Sequence, residues 1–364
     1  MLGALSPGRT ILGIPCYSLL IVSAIAAAVF LCGKEEKRLG LKKDTVIDLA
    51  LWLIPFGIIG ARLYYVAFEW EQFANDPIRI LHVWEGGIAI YGALLGGLIA
   101  CALFAKARKL SLAVLADMIM PTVALAQAIG RWGNYFNMEA YGEVISNPAL
   151  QFFPFGVLIP NGADYTWHLA TFFYESVWDL GVFLILWHNR QKMYRPGDVS
   201  LWYVLLYGPG RGFIEGLRLD SLYAGGGLRI SQWLSLIGCF ICCCILLVRA
   251  LRNSRSNMNH IRLLLDFSPC VLGIAALWLS TDVALPLWFR ALPGFLSLVL
   301  LWCIPHKHQQ SVLRVILASL LIGSQLLTLF FKNTIDPLLF TTLQTAIAGL
   351  NFTAVGYLLY PYSR

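Results

Sequence analysis

Two stretches of the chain concentrate residues able to handle an anion. The first is Gly130-Arg131-Trp132-Gly133-Asn134-Tyr135-Phe136-Asn137-Met138-Glu139-Ala140-Tyr141-Gly142, with an arginine, two amides, a carboxylate and three glycines in thirteen residues. Glycines let backbone N–H groups approach a ligand closely, and with the Asn134 and Asn137 amides they can cradle an anionic headgroup. Arg131 supplies a planar, permanently charged fork suited to phosphate. The competing structural reading is an interfacial turn, with Arg131 snorkelling and Trp132 in an aromatic belt. The second stretch is Tyr207-Gly208-Pro209-Gly210-Arg211-Gly212-Phe213-Ile214-Glu215-Gly216-Leu217-Arg218. Arg211, Glu215 and Arg218 are spaced i, i+4, i+7, so they share one helix face and can form ion pairs. Gly208, Pro209 and Gly210 are expected to loosen the helix just before Arg211, exposing backbone groups that need a lined cavity. A purely structural ion-pair ladder is the alternative. Two arginines against one glutamate leave a positive charge over, which suits an anionic ligand.

Other polar groups are scattered through apolar surroundings. Trp84-Glu85-Gly86-Gly87-Ile88-Ala89-Ile90-Tyr91-Gly92-Ala93-Leu94-Leu95-Gly96-Gly97 carries Glu85 and Tyr91. Gly92 and Gly96 permit close helix packing, and packing is the expected role of most of these small residues. Arg62 and Glu175 are expected to support a site instead of reacting. His188, His260, His306 and His308 sit at the ends of apolar runs, while His82 and His168 have no obvious partner by spacing. The nine cysteines lie mostly in apolar runs, including Cys239, Cys242, Cys243 and Cys244, and read as small packing residues. No second Cys pair or suitably spaced His completes a zinc site.

The elements that must position these groups are membrane helices. Of the 364 residues, 58% are hydrophobic and only 13% charged, against a usual charged share of roughly 25%. Mean hydropathy is +0.69. A soluble globule would have too little charged surface, and a membrane β-barrel would show short alternating segments instead of long apolar runs. Such runs occupy 11–32, 46–67, 84–104, 112–130, 168–187, 199–217 and 231–249, each near the ~20 residues that cross the hydrocarbon. The positive cluster Lys34, Lys37, Arg38, Lys42 and Lys43 follows the first run, the wrong flank for a signal peptide. Basic residues recur in alternate loops, with Lys106, Arg108 and Lys109, then Arg190, Lys192 and Arg195, then Arg249, Arg252, Arg255 and Arg262. These loops are therefore expected in the cytoplasm, with the N-terminus outside. The net charge of +7 is thus a topological signal and not one for nucleic acid. Four weaker runs follow, near 263–280, 291–304, 315–331 and 338–359. The expected fold is an all-α polytopic membrane protein: a seven-span core in residues 1–255, and an accessory C-terminal membrane bundle of about four spans in 256–364. There is no fixed-period repeat and no inverted duplication of the kind that marks many transporters.

GRWGNYFNMEAYG resembles the signature of the prolipoprotein diacylglyceryl transferases, bacterial enzymes that begin lipoprotein maturation. The resemblance extends in order through WEGGIAIYGALLGG, ATFFYESVWDL, RPGDV and YGPGRGFIEGLRLDSL, over roughly residues 11–250. It implies transfer of the diacylglyceryl group of phosphatidylglycerol to the lipobox cysteine thiol of a prolipoprotein, forming a thioether and releasing glycerol phosphate. It implies a multi-pass protein of the bacterial cytoplasmic (inner) membrane, N-terminus outside and C-terminus cytoplasmic, acting as a monomer. By the same resemblance Arg131 and Arg211 handle the phosphate, Asn134, Glu139 and Gly142 complete the signature, and Glu215 and Arg218 support Arg211. Asn137, Gly92 and Tyr17 complete the expected phosphatidylglycerol-binding set. No metal or organic cofactor is implied.

The sequence departs from the family at two points. Some members carry a histidine, proposed as general base, where this chain has Tyr91. A neutral tyrosine of pKa about 10 is a poor base. A thiol is already a few per cent thiolate at neutral pH, and nearby arginines raise that fraction. Tyr91 is therefore expected to orient the lipid while the arginines offset charge on the departing phosphate. The segment after about residue 262 is the second departure. The rival readings are a lipid transporter or flippase and a non-enzymatic binder of anionic phospholipid; transport needs a midplane site reachable from both sides, whereas this signature lies at the end of its run.

Overall fold

The computed structural model describes residues 10–162, 164–193, 195–219, 229–253 and 337–363, with isolated positions between 263 and 271. Two short strands, β1 (Thr10–Ile11) and β2 (Ile14–Pro15), precede α1 (Cys16–Arg38), α2 (Thr45–Phe68), α3 (Ile90–Arg108) and α4 (Leu112–Asn137). An antiparallel hairpin of β3 (Gly156–Asn161) and β4 (Asp164–Leu169) then leads to α5 (Thr171–Asn189), α6 (Asp198–Leu217) and α7 (Ile230–Asn253). The last described helix is α8 (Pro337–Ser363). The helix expected near 338–359 is thus present; the runs at 263–280, 291–304 and 315–331 lie outside the described residues apart from isolated positions.

α1, α2, α3, α4 and α7 are each long and apolar enough to cross a membrane. Their exposed side chains point the same way. Large apolar residues at helical spacing, such as Ile47, Leu51, Ile54 and Ile58 on α2 and Leu234, Ile237, Ile241 and Ile245 on α7, face outward. That is the inverse of a soluble amphipathic helix and the pattern of a lipid-facing stripe. The chain is a multi-pass membrane protein. α5 and α6, at 19 and 20 residues, are long enough but carry Glu175 and Asp179, and Arg211 and Glu215.

Packing divides the described residues into two units, one comprising Val22–Ala126 with Pro196–Ser200 and the other the residues up to Ile21, Gln127–Arg195 and those from Leu201. In the first unit, α2 and α3 meet at a glycine seam. A Cβ at Gly92 would strike the Gly60 carbonyl oxygen, and one at Gly96 the Phe56 carbonyl. These glycines therefore pack helices, as the spacing suggested. Beside the seam lies a core of Cys32, Leu49, Phe104, Leu115 and Met118. The buried Glu36 carboxylate accepts the amides of Asp44 (3.2 Å) and Val46 (2.7 Å), satisfying the open N-terminal donors of α2. Asp117 does the same for α6, accepting from the Gly197 (2.6 Å) and Ser200 (2.8 Å) amides.

α3 begins at Ile90 and not at 84. Gly86 and Gly87 adopt φ of 86° and 66°, which ends helical continuation there. Arg62 holds the irregular approach, donating to the carbonyls of Ile80 (2.9 Å), Gly86 (2.7 Å), Gly87 (2.9 Å) and Arg79.

In the second unit, the hairpin packs Val157 and Ile159 with Ala170 and Phe172 of the α5 start, against Trp132 and Tyr135. α6 is a continuous helix through Gly208, Pro209 and Gly210, so the expected loosening does not occur. The flanking surfaces are filled. Cys239 Sγ covers Gly208, the Trp178 indole covers Gly210, and Gly349 of α8 lies on Pro209. Cys239 and Cys243 are buried free thiols whose Sγ–H groups donate to the carbonyls of Val204 (3.5 Å) and Phe352 (3.3 Å), in keeping with a packing role.

Candidate active site

Three helices of the second unit bring their charges together. Arg131 lies on α4, Glu175 on α5, and Arg211 and Glu215 on α6. One oxygen of Glu175, Oε1, pairs with Arg131 Nη2 at 2.7 Å and with Arg211 Nη1 at 2.8 Å. The other end of Arg211 pairs with Glu215 Oε2 at 2.7 Å, and Arg218 Nη1 reaches the same oxygen at 3.6 Å. The i, i+4, i+7 face of α6 thus forms the ion pairs its spacing suggested. Within this chain of pairs, three guanidiniums meet two carboxylates. Glu175 and Glu215 side chains are only 2% and 8% exposed, whereas Arg131 and Arg211 retain 20% and 16%. The carboxylates are therefore more deeply buried than the arginines that pair with them.

The signature beyond Arg131 folds back on itself. α4 ends at Asn137, and Met138 and Ala140 take left-handed φ of 50° and 57°. Such values are uncommon for residues with a side chain and mark a tightly specified turn. The turn returns Glu139 towards the helix, where its Oε1 accepts from Asn134 Nδ2 (2.9 Å) and Asn137 Nδ2 (3.2 Å). Asn134 Oδ1 in turn accepts from Arg131 Nη1 at 3.4 Å. The Ala140 carbonyl is fixed by the Thr171 hydroxyl at 2.6 Å. A cavity of about 340 Å³ opens beside this turn, lined by Met138, Glu139, Ala140, Tyr141 and Leu219. Arg131, Asn134, Asn137, Glu139, Arg211, Glu215 and Arg218 thus form two adjoining networks joined at Arg131.

Gly142 serves a different end. Its amide donates to Leu169 O (2.9 Å), it bridges to Arg218, and a Cβ there would press on the Leu217 carbonyl and Leu169. It lets three segments cross closely. The Tyr17 ring lies over Gly133, where a Cβ would come within 2.7 Å of it. Tyr91 and Gly92 belong to the other unit. Tyr91 opens α3 with its ring 6.4 Å from Tyr64. The two unassigned histidines have partners after all: His82 Nδ1 lies 3.1 Å from Glu85, and His168 Nδ1 lies 2.8 Å from Gly142 O.

Two residues escaped the sequence reading. Asp179, one turn from Glu175 on α5, is fully buried, and neither carboxyl oxygen has a hydrogen-bond partner among the described residues. A carboxyl inside an apolar helix was itself the available signal. Arg229, just before α7, is 2% exposed and donates from Nη1 to the Glu215 carbonyl. Its place could not be read from spacing because it reaches α6 from another element.

The fold and these networks define a multi-pass membrane protein in which arginines of two helices converge on one buried carboxylate. Comparison with known sequences then assigns the lineage. Residues 9–248 match the family model described as prolipoprotein diacylglyceryl transferase, and the chain belongs to that family. It is 44% identical over 247 residues to the phosphatidylglycerol–prolipoprotein diacylglyceryl transferase of Enterococcus faecalis, covering 66% of this chain and 88% of that protein. The enzymes of the same name from Limosilactobacillus reuteri and Pediococcus pentosaceus are 42% and 43% identical, over 65% of this chain and 87% of each relative.

Proposed function

We propose that the chain transfers the diacylglyceryl group of phosphatidylglycerol to the lipobox cysteine of a prolipoprotein, the substrates that the relatives' names carry. The observation that supports this best is Glu175 Oε1 holding Arg131 and Arg211 from two different helices within 2.8 Å of one atom. Two guanidiniums converging on one point, each still partly exposed, suit a phosphate that gains charge as it leaves. The substrate sulfur, as thiolate, attacks the glyceryl carbon bearing the phosphate. A C–S bond forms, the C–O bond breaks, and its electron pair leaves on glycerol phosphate facing the arginines. The thiol proton is lost to solvent beforehand, favoured by the positive surroundings. Asn134, Asn137 and Glu139 hold the headgroup side of Arg131. Glu215 and Arg218 fix Arg211, Gly142 shapes the crossing beneath them, and Tyr17 flanks the signature helix. Tyr91 and Gly92 are placed in the lipid site by resemblance alone, Tyr91 as the residue that orients the lipid.

The chemistry belongs to a seven-span core in residues 1–255, with 256–364 as an added membrane segment of about four spans. The protein acts as a monomer in the bacterial cytoplasmic membrane, with its N-terminus outside. The test is mass spectrometry of a lipobox peptide incubated with purified protein and phosphatidylglycerol. A diacylglyceryl increment on the cysteine with release of glycerol phosphate is expected. A folded protein that binds the lipid and leaves the peptide unmodified would move the reading to lipid binding or transport.

A further inference from the structure

The family match ends at residue 248, and α8 lies well beyond it. Yet α8 packs along the helix that carries Arg211. A Cβ at Gly216 would strike the Thr342 hydroxyl, one at Gly212 would come within 3.1 Å of Thr345, and one at Gly349 within 2.8 Å of Pro209. Further along, the Thr353 hydroxyl donates to the carbonyl of Leu205. As α8 advances from 342 to 353, its α6 partners fall from 216 to 205, so the helices run antiparallel in one register.

The last of these contacts repairs a defect. Pro209 sits inside α6 and has no N–H. In a regular helix that N–H would serve the carbonyl four residues earlier, which is Leu205. An unserved carbonyl within a membrane helix is costly, and proline is tolerated there when a neighbouring side chain satisfies the freed group. Thr353 does this from α8, while Gly349 leaves room for the proline ring.

We propose that Thr353 is a positioning residue for the transferase: its hydroxyl replaces the hydrogen bond that Pro209 removes, and so keeps continuous the helix that presents Arg211, Glu215 and Arg218. The added segment is then a brace for the active-site helix. This rests on the transferase reading for its kinetic consequence, though not for the contact itself.

The test is a double-mutant cycle in the full chain. Thr353→Val keeps the shape and removes the hydroxyl; Pro209→Ala restores the N–H. Thr353→Val is expected to lower kcat about tenfold with KM for phosphatidylglycerol within twofold, and Thr353→Ser to restore kcat. Whatever Pro209→Ala does alone, adding Thr353→Val to it is expected to cost nothing more. Equal losses from Thr353→Val in both backgrounds, wild-type kcat in Thr353→Val, or a failure of Thr353→Ser to rescue would each overturn the proposal. If Thr353→Val does not accumulate, recovery of folded protein in the double variant supports the proposal and its absence overturns it. If the wild-type chain transfers nothing, the transferase reading falls. The cycle is then read from melting temperatures, which Thr353→Val must lower only where Pro209 is present.

Discussion

At the residue scale Glu175 is the hub, its single oxygen tying Arg131 to Arg211. Removing its charge leaves the two guanidiniums without their common partner. Glu175→Gln is expected to lower turnover about a hundredfold and to destabilise the fold by about 3–5 kcal/mol. Turnover and thermal melting of the same preparation check both, and an unchanged turnover would remove Glu175 from the positioning of the arginines. Tyr91→Phe is expected to be milder, with less than about a tenfold loss; abolished transfer would mean that the hydroxyl takes part. Both arginines were legible as residue types in glycine-rich surroundings. That they share one carboxylate was not, because the pairing crosses three helices and no spacing along the chain encodes which helices are neighbours. The spacing of Arg211, Glu215 and Arg218, by contrast, lies within one helix, and there 3.6-residue periodicity was enough.

At the scale of elements, apolar runs gave the helices but not their ends. α4 continues to Asn137, past the apolar run ending at 130, because backbone hydrogen bonding extends a helix irrespective of side-chain polarity. α3 starts late because Gly86 and Gly87 take positive φ. The hairpin of β3 and β4 was missed altogether: its strands are six residues each and sit in a loop whose composition resembles its surroundings. α6 stays continuous where glycine and proline predicted a weak point, because neighbours supply packing and hydrogen bonding that its own sequence lacks. The glycine seam between α2 and α3 makes a sharp expectation. Gly92→Leu must push against the Gly60 carbonyl and the Tyr64 Cβ, which a Cβ would approach to 2.5 Å. Overpacking of this kind costs about 1–3 kcal/mol, so the melting temperature of the purified protein should fall; an unchanged value would show that the helices separate freely.

At the scale of the whole molecule, the alternation of basic loops predicts which faces meet the cytoplasm. Asp76→Cys is expected to react with a membrane-impermeant maleimide on intact cells, and Lys109→Cys only after permeabilisation; the reverse pattern would invert the assigned topology. Chain-wide composition sufficed for the membrane class, since 13% charged residues cannot clothe a soluble globule of this length. The contact of α8 with α6 was beyond reach of the sequence, because Thr342, Thr345 and Thr353 read as ordinary polar residues in a weak apolar run. Arg131 and Arg211 are expected to act as one unit on the departing phosphate. The decisive measurement is the amount of diacylglyceryl-peptide formed by Arg131→Ala, Arg211→Ala and the double variant. Residues that act together lose their effect together, so each single variant should fall as far as the double, with folded protein retained. Near-normal transfer by Arg131→Ala, or losses that simply add, would contradict it.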